Sequence, residues 1–192
     1  PSENVSPLEQ AMRNPTFQVS KDTPALYFTS VTKDRLPIFK TELIKEIACK
    51  AFNEARISGG FALLAYVLML DHLHWITDAA QKPSDILRVV DGIISHRIIE
   101  YLKRNKCQKS LDKLREAEKA RGYKHSLWDH HPNALWLTSE SVLMRKVNYI
   151  HQNPVSAGLV ERAEDYLWSS VRYWTGKTRQ DEPVKVDIEL IS

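Results

Sequence analysis

Two histidines one residue apart interrupt an apolar run. The stretch LMLDHLHWI, residues 68–76, carries His72 and His74 on either side of Leu73. In an extended strand successive side chains alternate faces, so both imidazoles project together while Leu73 and Trp75 take the other face. Two imidazoles side by side are half of a metal site that awaits ligands from elsewhere in the fold; they are equally two polar rings lining a partly wetted sheet face.

A third candidate stands farther along, in TSESVLMRKVNYIHQNP, residues 138–154. At about 100° per residue, Leu143, Val147 and Ile150 form one apolar stripe, and Tyr149 lies roughly 120° away from it. Arg145 and Asn153 fall one turn before and after Tyr149 on the same edge, with Lys146 beside them. A tyrosine held outside the core has one natural substrate as a nucleophile, a phosphodiester, with which it forms a phosphotyrosine that conserves the bond for later transfer. A phenol of pKa near 10 needs help at neutral pH. A divalent metal on the histidine pair would give it by polarising the scissile phosphate. His151 is a rival ligand, but the helical wheel turns it about 160° from Tyr149.

The elements that must position these groups follow from periodicity and punctuation. Residues 1–24 are polar, broken by Pro7, Pro15 and Pro24, and read as an irregular arm. ALYFTSVT (25–32) reads as a strand. Residues 41–60 read as a helix that stops at Gly59-Gly60, and the apolar run 61–70 as a second strand. Asp71 marks a turn before a third strand, HLHWIT (72–77). Pro83 and Ser84 open a long helix (82–105), and residues 125–139 hold room for a short strand. The tyrosine helix then runs from Thr138 or Ser139 to Pro154, where the ring forbids continuation. This β-α-β-β-α-(β)-α order is an α+β plan of the split-βαβ kind.

Composition sets the outer bounds. The 192 residues suffice for one domain, and 43% hydrophobic with 27% charged content is ordinary for a globular chain. The net charge of +3 permits nucleic-acid binding without requiring it. Cys49 and Cys107 form no CxxC pattern and read as reduced thiols, which makes the cytoplasm the expected compartment. No signal peptide and no run of membrane-spanning length is expected, so no membrane partner is either. No phosphate-cradling GxxxxGK[ST] loop is present. The segment 103–125 is dense in Lys and Arg, starting with Lys103 and Arg104. It is either a phosphate-contacting surface or a solvated lysine-rich helix.

NYIHQNPVSAGLV (148–160) and EDYLWSSVRYW (164–174) resemble the Tyr-Ile-x-x-Asn-Pro-x-x-Ala-Gly-Leu-Val and Asp-Tyr-x-Trp-Ser-Ser signatures of single-tyrosine transposases, especially the REP-associated branch. LMLDHLHWI resembles the His-hydrophobic-His strand of the wider HUH nuclease superfamily. The similarity spans Tyr27 to Trp174 and implies a transposase domain over 25–174, with 175–192 as a C-terminal tail. It implies a ferredoxin-like core with an antiparallel sheet and the catalytic tyrosine on a C-terminal helix. His72 and His74 would bind Mg²⁺ or Mn²⁺, and Tyr149 would be the nucleophile. Relatives place a glutamine four residues after the tyrosine as a third ligand; Asn153 stands there here, one methylene shorter. Whether it reaches the metal, acts through water or caps the helix is open. Relatives also favour asparagine where Asp71 stands, a residue that either orients an imidazole or points away in the turn.

The implied reaction joins Tyr149 to a 5′ phosphate of single-stranded DNA and frees a 3′ hydroxyl, near a hairpin of REP type. Arg145, Lys146, Lys103 and Arg104 are the expected DNA contacts, and one or two of Trp128, Trp136, Trp168 and Trp174 could stack on bases. A monomer is expected. The alternatives are a dimeric insertion-sequence transposase of the same chemistry and a hairpin-binding protein that no longer cleaves.

Overall fold

The computed structural model describes residues 19–118, 122–129 and 133–188. Residues 1–18 of the expected arm lie outside these. Strand β1 (Ala25–Val31) leads through two short 3-10 turns to helix α1 (Glu42–Gly59). Thr41 caps that helix by accepting a hydrogen bond from the Ile44 amide, and Gly60, at φ +63°, ends it in the left-handed conformation that suits glycine. Strands β2 (Leu63–Leu68) and β3 (His72–Asp78) are separate and antiparallel, with Asp71 in the turn between them. Helix α2 (Pro83–Arg104) follows, then short helix α3 (Gln108–Lys113), a hairpin of β4 (Arg115–Glu118) and β5 (Gly122–His125), and strand β6 (Asn133–Leu137). Helix α4 (Glu140–Ser156) and the short α5 (Val171–Trp174) complete the order.

The main sheet has the order β2-β3-β1-β6, antiparallel at every pairing, which is the arrangement that two interlocked split βαβ units generate. The α+β, ferredoxin-like reading is therefore the observed one. Its faces follow strand alternation. Trp75 points to the α1 side and meets Phe52 edge-on at 5.8 Å, while Ile86, Val90, Ile94, Ile98 and Leu102 form the buried stripe of α2 in the same layer. Helix α4 covers the opposite face with Leu143, Val147 and Ile150 fully buried, as the helical wheel requires.

Three local features differ from the sequence expectations. Helix α4 continues past Pro154 to Ser156, because proline so close to a helix end removes only one backbone hydrogen bond and the buried ring packs on the core. The basic segment is only partly helical, since its second half forms the β4–β5 hairpin. Finally, residues 175–188 do not trail free. Val184 and Val186 are buried, Asp187 exchanges hydrogen bonds with the backbone of Leu63, and its carboxylate grips Arg56 through a buried pair at 2.8 Å. A second buried pair, Arg172 with Glu182 at 2.7 Å, ties the same segment to α5. With Ser169 bridging to Val67, these contacts cover the β2 edge and remove an exposed row of backbone donors and acceptors.

Candidate active site

Strand β3 sets the geometry. His72 and His74 lie on the α4 face with ring centroids 4.7 Å apart. Register makes the difference between the two. Thr29 on β1 stands directly opposite His74, and Tyr27 lies two residues along on the same face. The His74 Nδ1 lies 2.8 Å from both the Thr29 hydroxyl and the Tyr27 hydroxyl, and Thr29 in turn donates to Tyr27 at 3.2 Å. The Tyr27 ring also stacks on the imidazole at 5.6 Å. Burial, helped by the charges of His72 and Lys146, holds the His74 pKa down at about 3, so this ring is neutral at physiological pH. Burial pushes the Tyr27 phenol up to about 12, which keeps its proton in place.

Asp71 resolves the two readings left open for it: it occupies the turn and also orients an imidazole. One carboxylate oxygen lies 2.6 Å from His72 Nδ1, and the other accepts from Arg35 at 3.0 Å. Burial raises this carboxyl, but the hydrogen bonds and charges of His72 and Arg35 outweigh it and hold the pKa below the ordinary value. With Nδ1 engaged on both rings, Nε2 is the nitrogen each histidine can offer a metal. The donor set therefore fits a divalent cation in part: two imidazole nitrogens with supporting partners, and among the described residues no third His, Cys, Asp or Glu that completes a cluster. The remaining positions fall to an amide oxygen, water or substrate oxygens.

Helix α4 brings Tyr149 to the pair. Its ring lies 5.5 Å from that of His74, edge to face, and the side chain is 50% exposed, open to a macromolecular substrate. The Lys146 ammonium sits against two ring faces, 4.5 Å from the centre of Tyr27 and 5.2 Å from that of Tyr149. Arg145 is exposed on the same helix. Asn153 turns back along its own helix, its amide donating to the Tyr149 carbonyl at 2.7 Å, so Oδ1 is the atom it has for a metal or a water. His151 is buried on the far side of α4, hydrogen-bonded to Ser170 at 2.9 Å and held by burial to a pKa of about 4. It fastens the tyrosine helix to the segment before α5 and takes no part in the site.

The other expected contacts are not gathered here. Lys103 and Arg104 end α2 in the layer across the sheet from α4, both exposed, with Arg104 paired to Glu100 at 2.6 Å. Trp128 and Trp168 are buried, and Trp174 donates from half-buried surroundings to the Leu64 carbonyl. Trp136 alone of the four is well exposed, at 50%. Sequence reasoning missed Tyr27, Thr29 and Arg35. The first two alternate on β1 in a pattern that signals one shared face; Arg35 gave no signal.

No protein-family model matches the chain, and no curated protein matches it. Among solved structures it is similar to the REP-associated tyrosine transposase bound to a REP hairpin, with a TM-score of 0.58 and 16% identity over 88% of this chain and 89% of that one. It is also similar to a protein named as a transposase from Deinococcus radiodurans R1, with a TM-score of 0.47 and 17% identity over 68% of this chain and 90% of that one. Along most of its length, then, the chain has the α+β fold of a REP-associated tyrosine transposase.

Proposed function

We propose that the chain is a metal-dependent transposase that nicks and rejoins single-stranded DNA beside hairpin, REP-like palindromic elements. One observation carries the reading: an exposed tyrosine lies 5.5 Å from the second of two histidines whose Nδ1 atoms are both engaged, within one chain. A tyrosine with no reaction to perform has no need of that setting.

The chain's own groups then divide the work. Tyr149 Oη gives up its proton and attacks the phosphorus; the bond to the 3′ oxygen breaks, the 5′ phosphate stays on the tyrosine, and the 3′ oxygen takes up a proton and leaves as a hydroxyl, so that the net proton transfer is from phenol to leaving group. Attack by a second 3′ hydroxyl reverses the step and restores the phenol. Lys146 places positive charge beside Tyr149 and the incoming phosphate, and Arg145 extends that charge along the helix edge. Asp71, Thr29 and Tyr27 fix the imidazole planes. His72 and His74, with the Asn153 Oδ1 as a third candidate ligand, would hold a Mg²⁺ or Mn²⁺ ion, which when bound would supply Lewis-acid polarisation of the phosphate. Tyr149 stands beside the histidines of its own chain, so the proposed site needs no residue from a second copy, and action as a monomer is part of the proposal. The solved relative was bound to a REP hairpin, which supports hairpin DNA as the partner of this chain as well.

The test is incubation with labelled single-stranded hairpins and Mn²⁺, followed by a denaturing gel. A protein–DNA adduct supports the proposal. Tight hairpin binding with neither adduct nor cleavage product would place the chain among proteins that keep the fold and bind without cutting.

A further inference from the structure

A second recess opens at the end of the sheet where β3 begins, in the layer opposite Tyr149. It has a volume of about 330 Å³, within the range of roughly 300–1,000 Å³ typical of small-ligand pockets. Leu36 and Tyr101 are among its apolar and aromatic walls, Cys107 and Ser110 lie along it, and among the described residues its only charged lining is Lys40 and Lys113. Both lysines are exposed, and neither forms an ion pair among the described residues. Nearby carboxylates are engaged elsewhere: Glu42 with Lys45 and Trp168, Asp112 with Gln108.

The loop that builds this wall is the one that braces the candidate active site. Arg35 reaches Asp71, which holds His72, while the next residue, Leu36, lines the recess. Thr32 locks the two together by donating to the carbonyls of Leu36 and Asp71. Asp34 and Arg35 hold φ values of +52° and +50°, a left-handed conformation that non-glycine residues rarely adopt in succession, and Lys106, beside Cys107, sits at +53°. Arg35, itself 69% exposed, links the loop at the recess to the histidine strand through its ion pair with Asp71.

We propose that this recess receives an unpaired base of the DNA whose backbone is held at the histidine pair, with Tyr101 as the aromatic wall and Lys40 and Lys113 on the flanking phosphates. An aromatic wall under a lysine rim, with no acid among the described lining residues, is the chemistry that binds a single-stranded nucleotide without demanding its sequence. The inference rests on the proposed single-stranded DNA reading and adds to it a second, separate point of strand contact.

Cys107 makes the test direct. The chain has two cysteines and Cys49 is buried, so a maleimide reports on Cys107 at the pocket wall. A DNA hairpin carrying an unpaired tail, at saturation, should slow Cys107 labelling about tenfold, whereas the same hairpin with blunt ends should not. Filling the recess with Ser110→Trp, and separately reversing its charge with Lys113→Glu, should each weaken binding of the tailed hairpin about tenfold, the scale of one stacked base, and leave the blunt hairpin unaffected. Circular dichroism confirms that the variants are folded. Unchanged labelling with the tailed hairpin bound, equal protection by both hairpins, or undiminished binding by folded Ser110→Trp overturns the proposal. An adduct at Tyr149 together with an unprotected Cys107 removes the recess alone, whereas failure to bind either hairpin removes the DNA reading with it.

Discussion

Replacing Asp71 by alanine isolates the support of one metal-binding imidazole from the imidazole itself. The carboxylate is only 22% exposed and lies 2.6 Å from His72 Nδ1, so the deleted contact is a charge-assisted hydrogen bond in partly desolvated surroundings. Hydrogen bonds to charged groups contribute about 1.5–3 kcal/mol. Removal of a partner that orients a metal-bound histidine typically lowers metal affinity by about 10–100-fold, or roughly 1.4–2.7 kcal/mol, and the two ranges agree. The same substitution also releases Arg35, but that guanidinium is 69% exposed and its exposed pairing contributes about 1 kcal/mol or less. Asp71→Ala should therefore weaken Mn²⁺ binding by about 10–100-fold in isothermal titration calorimetry near neutral pH, while Arg35→Ala weakens it by a few-fold at most. Thr29→Val should cost less than Asp71→Ala, because its hydroxyl is neutral and the Tyr27 hydroxyl stays at 2.8 Å from the same nitrogen. Mn²⁺ affinity of Asp71→Ala within about twofold of wild type, in a folded protein, would refute the assignment of His72 as a ligand oriented through Nδ1.

Other parts of the structure give separate tests. Asp91, half-buried and receiving a hydrogen bond from Ser30, has its carboxyl pushed by desolvation from 3.8 to about 7. A folded pKa above the unfolded value means that the folded state binds the extra proton, so this group costs stability as pH rises from about 4 to about 7. Asp91→Asn should flatten that slope and raise the unfolding free energy measured by urea denaturation above pH 7 by on the order of a few kcal/mol; an unchanged pH profile would contradict it. Asp187→Ala leaves Arg56 as an uncompensated buried charge and should destabilise the fold by about 3–5 kcal/mol in urea denaturation, whereas Arg104→Ala, which breaks an exposed pair, should change it by less than about 1 kcal/mol. The double variant His72→Ala, His74→Ala should remain folded and lose detectable Mn²⁺ binding in calorimetry.

Which features could be read from the chain alone follows from how local each one is. The turn at Asp71, the shared face of His72 and His74, and the isolation of Tyr149 from the stripe of Leu143, Val147 and Ile150 all rest on strand and helix periods, and the structure has each of them. The long α2 stripe from Ile86 to Leu102 was legible for the same reason. The hydroxyls beside His74 were not, because Thr29 meets it only through the register of strands 45 residues apart. The β4–β5 hairpin was obscured by its charged sequence, which carries no alternation of apolar residues. The docking of 175–188 depends on two buried ion pairs, Arg56 with Asp187 and Arg172 with Glu182, whose members are 131 and 10 residues apart. Opposite charges at such separations announce nothing in a linear pattern. Lys103 and Arg104 were grouped with the site because they are basic, and charge alone does not say which side of a sheet a helix ends on.

The central claim is that Tyr149 becomes covalently joined to DNA through a phosphodiester. The most direct measurement is mass spectrometry of the protein after reaction with a single-stranded hairpin and Mn²⁺, comparing wild type with Tyr149→Phe. The account predicts a nucleotide adduct on the peptide that contains Tyr149, its complete loss in Tyr149→Phe, and retained hairpin binding by that variant. An adduct on a different residue, or an equal yield from Tyr149→Phe, would contradict it.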